Sequence, residues 1–143
     1  SSCAGEDSIG GQISGILNIS KNNFRGLQIG AFNITESVSG GLQIGAINQT
    51  DEFTGIKITG LIGVSDSNLN RGIIIAGISN INHDILGMQI AGFFNGAENV
   101  TGVQIAPFNF CQTLRGAQIG LINIVNKPKI KVLPVFVGIY VGW

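Results

Sequence analysis

Apolar and polar residues alternate through short stretches of this chain, and the alternation restarts about every fifteen residues. In the segment 24–38, apolar Leu27, Ile29 and Ala31 are separated by polar or small residues. That period of two predicts a strand, and the polar run Thr35-Glu36-Ser37 predicts the turn that ends it. Helix is disfavoured, because glycine recurs every few residues and β-branched residues fill much of the remainder.

Each restart carries the same signature, Gly-x-Gln-Ile, with the glycine at Gly10, Gly26, Gly41, Gly55, Gly72, Gly87, Gly102 and Gly116. The isoleucine is present every time, at Ile13, Ile29, Ile44, Ile58, Ile75, Ile90, Ile105 and Ile119. Glutamine precedes it at Gln12, Gln28, Gln43, Gln89, Gln104 and Gln118, with Lys57 and Ile74 as the exceptions. Asparagine closes the unit at Asn18, Asn33, Asn48, Asn80, Asn95, Asn109 and Asn123, and Gly63 stands there in the fourth. A fixed period this short is too small for a helix pair and fits one coil of a stacked strand repeat.

The expected fold is therefore all-β: a single β-solenoid of about eight coils of 14–17 residues. A short amino-terminal arm covers 1–9, the coils 10–126, and an apolar carboxyl-terminal cap or donor strand 127–143. Equivalent residues of successive coils lie about 4.8 Å apart, so the isoleucines are expected to form an internal stack. The glutamines and asparagines are expected to form two side-chain amide ladders. Coils one, four, five and six carry an extra residue, expected as a bulge at one corner. An antiparallel outer-membrane barrel ending in Trp143 is the competing architecture. Against it, every repeat has the same direction, and antiparallel neighbours would set Gln against Asn.

Units such as Gly-Leu-Gln-Ile-Gly-Ala-Phe-Asn at 26–33 and Gly-Ala-Gln-Ile-Gly-Leu-Ile-Asn at 116–123 resemble bacterial surface-repeat proteins of the leptospiral type. Those contain tandem Gly-x-Gln-Ile-Gly-x-x-Asn units and often finish in an apolar, proline-containing strand like 132–136 here. The resemblance covers about residues 10–143. It implies surface exposure and brings no defined activity.

Composition narrows the function classes. Charged residues are 11% of the chain and net charge is zero, against roughly 25% charged in ordinary domains. No basic stripe interleaved with aromatics suggests nucleic acid, and no apolar run approaches the ~20 residues of a membrane helix. Low charge with many Asn, Gly and Ser suits an extracellular or cell-surface protein. Neither a phosphate-binding loop nor a metal-ligand spacing occurs. His83 beside Asp84 reads as a solvated turn pair, so no enzyme, cofactor, metal or small-molecule substrate is expected.

The candidate sites are accordingly structural. Cys3 and Cys111 lie roughly six coils, or about 29 Å, apart along the axis. A disulfide needs Cα atoms within ~7 Å, so a bridge between chains is the feasible one; the other reading is two unpaired thiols with Cys111 half buried. Asn-x-Ser/Thr sequons stand at Asn18, Asn33, Asn48 and Asn99, and burial of the asparagine column would rule out the first three for glycosylation. Phe24, Phe53, Phe93 and Phe94 are candidate exposed aromatics for a binding face. Open solenoid ends need caps. Here acidic Glu6 and Asp7 at one end face basic Lys127, Lys129 and Lys131 and the apolar Val135, Phe136, Ile139, Tyr140 and Trp143 at the other. Head-to-tail self-assembly into a filament with cell-surface attachment is the leading expectation; a surface-displayed binding module and the membrane barrel are the alternatives.

Overall fold

A computed structural model describes residues 2–4, 8–66, 70–126 and 135–142. Glu6, Asp7, Lys127, Lys129, Lys131 and Trp143 lie outside the described residues, as do the side chains of Cys3 and Phe136. The strands are β1 (Ser2–Ala4), β2 (Ser8–Ile13), β3 (Leu17–Ile29), β4 (Phe32–Ser65) and β5 (Asn70–Ala76). They continue as β6 (Ser79–Asn82), β7 (Asp84–Ala91), β8 (Phe94–Ile105), β9 (Phe108–Val125) and β10 (Val135–Gly142).

The chain winds into a β-solenoid of about seven turns. Eight starting glycines bound seven intervals, which accounts for the difference from the eight coils expected. Pairing from β1 to β9 is parallel and keeps the repeat in register, with Gly10 on Gly26, Gln28 on Gln43, Ile75 on Ile90 and Asn95 on Asn109; the register shifts between Ser20 and Asn23 and between Phe24 and Gly26. This parallel stacking sets aside the antiparallel barrel. Only β10 runs antiparallel, laid on β9 with Val135 opposite Ile124 and Ile139 opposite Ile119. The carboxyl-terminal strand is thus a cap on the last coil of its own chain.

The glycine column is a steric requirement of the winding. Gly102 and Gly116 each have φ of 140°, a conformation that side chains with a Cβ rarely adopt. A Cβ at either would overlap the backbone carbonyl of the glycine in the preceding coil. The extra residue of the longer coils sits at a corner and points outward, as Ile16, Leu61, Ile78 and Phe93.

One expectation is reversed. The isoleucine column is on the outside: Ile13, Ile58 and Ile119 are exposed and the others half-buried, while the glutamine before each is buried. Adjacent residues in a strand point to opposite faces, so a Gln-Ile pair cannot both be internal. The hydrophobic core comes instead from the position two before the glycine, Phe24, Phe53, Ile85, Val100 and Leu114, and from Val38, which pairs with Phe24 one residue further from its glycine.

Gly102→Ala should therefore abolish cooperative folding or cost roughly 3 kcal/mol or more, as strained backbone sites do. Gly15→Ala, where an added Cβ meets nothing within 4 Å, should leave the melting temperature nearly unchanged. Thermal unfolding followed by circular dichroism compares the two.

Candidate functional site

The inward residues of the repeat make two amide ladders, and these are the best-defined polar features of the molecule. In the asparagine ladder each Nδ2 donates toward the next coil: Asn18 to Asn33 at 2.8 Å, Asn33 to Asn48 at 2.7 Å, Asn95 to Asn109 at 3.1 Å and Asn109 to Asn123 at 2.9 Å. The second Nδ2 proton goes to a backbone carbonyl, as from Asn33 to Ile44 at 2.9 Å. The glutamine ladder donates the opposite way, Gln28 to Gln12 at 2.8 Å, Gln43 to Gln28, Gln104 to Gln89 and Gln118 to Gln104, each of these last at 2.7 Å. Opposed directions leave the two rows of amide dipoles running against each other along the axis.

Breaks in the ladders coincide with the residues that leave the repeat. Gly63 replaces an asparagine, so Asn48 donates to Thr59 Oγ1 at 2.8 Å, and Asn80 Oδ1 has no partner. Ile74 replaces a glutamine, and Gln89 Nε2 above it is left without an acceptor. At the last coil Asn123 Nδ2 donates to Gly138 O of the β10 cap at 2.8 Å.

Lys57 occupies the glutamine column with 0% exposure. Its Nζ donates to Ser65 Oγ at 2.7 Å and lies 4.8 Å from the Phe53 ring centroid. Ser65 stands in the column of Thr35 and Thr50 with its role reversed: their hydroxyls donate to Gln28 at 3.0 Å and Gln43 at 2.9 Å, while Ser65 accepts from the ammonium. Among the described residues no carboxylate pairs with Lys57, and burial lowers its pKa from 10.5 to about 7.

Of the two cysteines, only the Cys111 side chain lies within the described residues. Cys111 points inward with 0% exposure, its Sγ accepting from Gln118 Nε2 at 3.3 Å, and burial pushes its pKa up to about 12. A protonated, enclosed thiol is a poor nucleophile, so burial of Cys111 weighs against the interchain bridge expected from spacing. Burial also decides among the sequons: Asn18, Asn33 and Asn48 are each 0% exposed within the ladder. Asn99 alone is exposed, donating to Asp84 Oδ1 at 2.6 Å and accepting from Thr113 Oγ1.

Phe24 and Phe53 belong to the core, while Phe93 is 58% exposed and Phe94 half-buried. Phe93 and Phe108 rings stand 5.1 Å apart, and with Phe94, Phe110, Ile122 and Ile124 they line a shallow apolar depression of about 350 Å³. His83 and Glu98 form a surface pair at 3.4 Å on the opposite, polar edge. Among the described residues no three His, Cys, Asp or Glu side chains converge as metal ligands.

No family model matches the chain, and neither does a curated protein or a solved structure.

Lys57 provides a titration that reports on the ladder. Between pH 7 and 10.5 the unfolded chain holds a proton that the folded chain has released, so stability rises with pH across that window and is flat below about 7. From pH 7 to about 8.5 the gain should be roughly 1.5 kcal/mol. Above pH 9 the buried Cys111 acts in the opposite sense. Lys57→Gln should be more stable at pH 7 by about 2 kcal/mol or more and lose the slope. Urea denaturation at each pH measures both.

Proposed function

We propose that the chain is a non-catalytic structural subunit of an extracellular or cell-surface filament, assembling head-to-tail through its solenoid ends. The observation that carries this reading is an unpaired strand edge at each end. Among the described residues, β1 and β2 pair only with β3, and β10 pairs only with β9. Free edges are usually blunted by lysine, proline or an inward charge. None of the residues of β1, β2 or β10 is charged or proline. Ile9 and Val137, at 86% and 80% exposure, supply apolar surface at the two ends. A contact of one end with the other is heterologous, and repetition of it builds an open filament.

Most amides of the two ladders bond to one another inside the coil, and the outer faces are aliphatic, which also suits a mechanical role. Attachment to a cell surface and an extracellular location are parts of the same proposal, supported by low charge and by the resemblance of the repeats. The second reading is a surface-displayed binding module that uses the phenylalanine depression around Phe93 and Phe108.

Electron microscopy of the purified chain tests the first reading. The expected result is unbranched filaments with a layer spacing near ~4.8 Å and a subunit rise of roughly 35–40 Å. Val137→Lys, a charge on the outer edge of the cap, should shorten or abolish them while leaving the far-ultraviolet circular dichroism unchanged. Isolated rods of wild-type protein at high concentration would remove the filament and leave the binding module.

A further inference from the structure

The apolar surface of this molecule is its flank. Four outward columns run the length of the rod, beginning at Gly11, Ile13, Leu17 and Ile19 and taking one residue from each of the eight repeats. Among those thirty-two positions only Gln49 and Ser79 carry a polar side chain. The columns form two faces that meet at a protruding corner, where Ile16, Leu61, Ile78, Phe93 and Leu121 are 46–69% exposed. The cap continues the pattern, since Val135, Ile139 and Val141 extend the outward columns of Ile124, Ile119 and Ala117. Charge is segregated from all of this. Every charged side chain among the described residues except buried Lys57 lies along the opposite edge, as with Arg25, Glu36, Arg71, Glu98 and Arg115.

We propose that this wedge is immersed lengthwise in the acyl layer of a lipid membrane, with the corner column deepest and the charged edge in water. Several observations favour lipid over a second copy of the chain. Even homodimer interfaces are only about 65% apolar, whereas these columns are almost wholly so. Two faces meeting at a ridge fit a deformable medium and leave one face uncovered in a pairwise contact. Hydrocarbon demands that backbone groups be paired within the protein. Between the two end edges the strands pair rung to rung, and corner amides do the same, as Ser14 N to Ile29 O at 2.9 Å and Phe93 N to Ile78 O at 3.0 Å. The polar side chains of the repeat are turned inward into their ladders. From the glycine column to the corner, five strand residues span roughly 15 Å, about half of the ~30 Å hydrocarbon thickness, so the wedge reaches through one leaflet. No helix is long and apolar enough to cross a membrane; the contact is made by strands. This inference concerns the flanks and does not rest on the filament reading, which concerns the ends.

Flotation of the purified full chain with neutral phosphatidylcholine vesicles, with no anionic lipid present, gives the direct test. The protein should float with the vesicles, and 1 M salt should not release it. Leu61→Glu with Leu121→Glu should leave it in the dense fraction with unchanged circular dichroism. A depth probe that needs no destabilising change is Phe93→Trp in a Trp143→Phe background. Its fluorescence should be quenched several-fold more by acyl-brominated lipid than that of Thr113→Trp on the charged edge. Failure of the wild type to float, whether as monomer, dimer or filament, overturns the proposal. Flotation with equal quenching at the two positions overturns it as well, because the wedge is then not immersed.

Discussion

A buried primary amide in this solenoid is tolerated because an equivalent amide lies one rung away, positioned to donate to it or accept from it. An unpaired buried amide costs a few kcal/mol. A stacked one offsets most of that cost through contacts such as Gln104 to Gln89 at 2.7 Å. The condition holds only if successive coils stay in register. The glycine column enforces that register, because its backbone approaches the coil below more closely than any Cβ would permit. Once amides fill the inward positions, alternation along the strand puts the isoleucines outside. The polar lumen, the aliphatic flanks and the crowded glycine corner are three consequences of one repeat.

The ladder also explains where the molecule is irregular. Lys57, Gly63 and Ile74 fall within two successive coils, and the unpartnered Asn80 Oδ1 and Gln89 Nε2 sit just beyond them. The inner column that begins at Ser20 changes character over the same stretch, from Thr35, Thr50 and Ser65 to Ala97, Cys111 and Val125. In this column the amino-terminal half adds hydroxyl-to-amide bonds from Thr35 and Thr50 across the lumen, and the last three coils add apolar packing.

Much of this was legible before any coordinates. Period, strand content, parallel stacking and both amide columns follow from spacing alone, because a repeat of this length has few ways to bury itself. The direction of the isoleucines was also legible. Gln28 and Ile29 are neighbours, and applying strand alternation to that pair forces one of them outward; an invariant aliphatic residue invites the opposite assumption. The fate of Cys111 was not legible, since facing inward depends on which residues turn the corner between Asn109 and Leu114. Nor was the antiparallel docking of β10, a long-range contact that no local pattern encodes.

For function, the arrangement shifts weight from chemistry to surfaces. Side chains that could bind or react in another fold are here engaged in holding coils together. The apolar flanks, the phenylalanine depression and the two strand edges are left to meet the outside. The central claim beneath every functional proposal is that amides are inside and isoleucines outside. Hydrogen exchange of the side-chain amides, followed by nitrogen-edited NMR, tests it most directly. The protons of Gln28, Gln43, Gln104, Asn33 and Asn109 should exchange orders of magnitude more slowly than those of exposed Gln49. Exchange of the ladder amides at the rate of Gln49 would contradict the account.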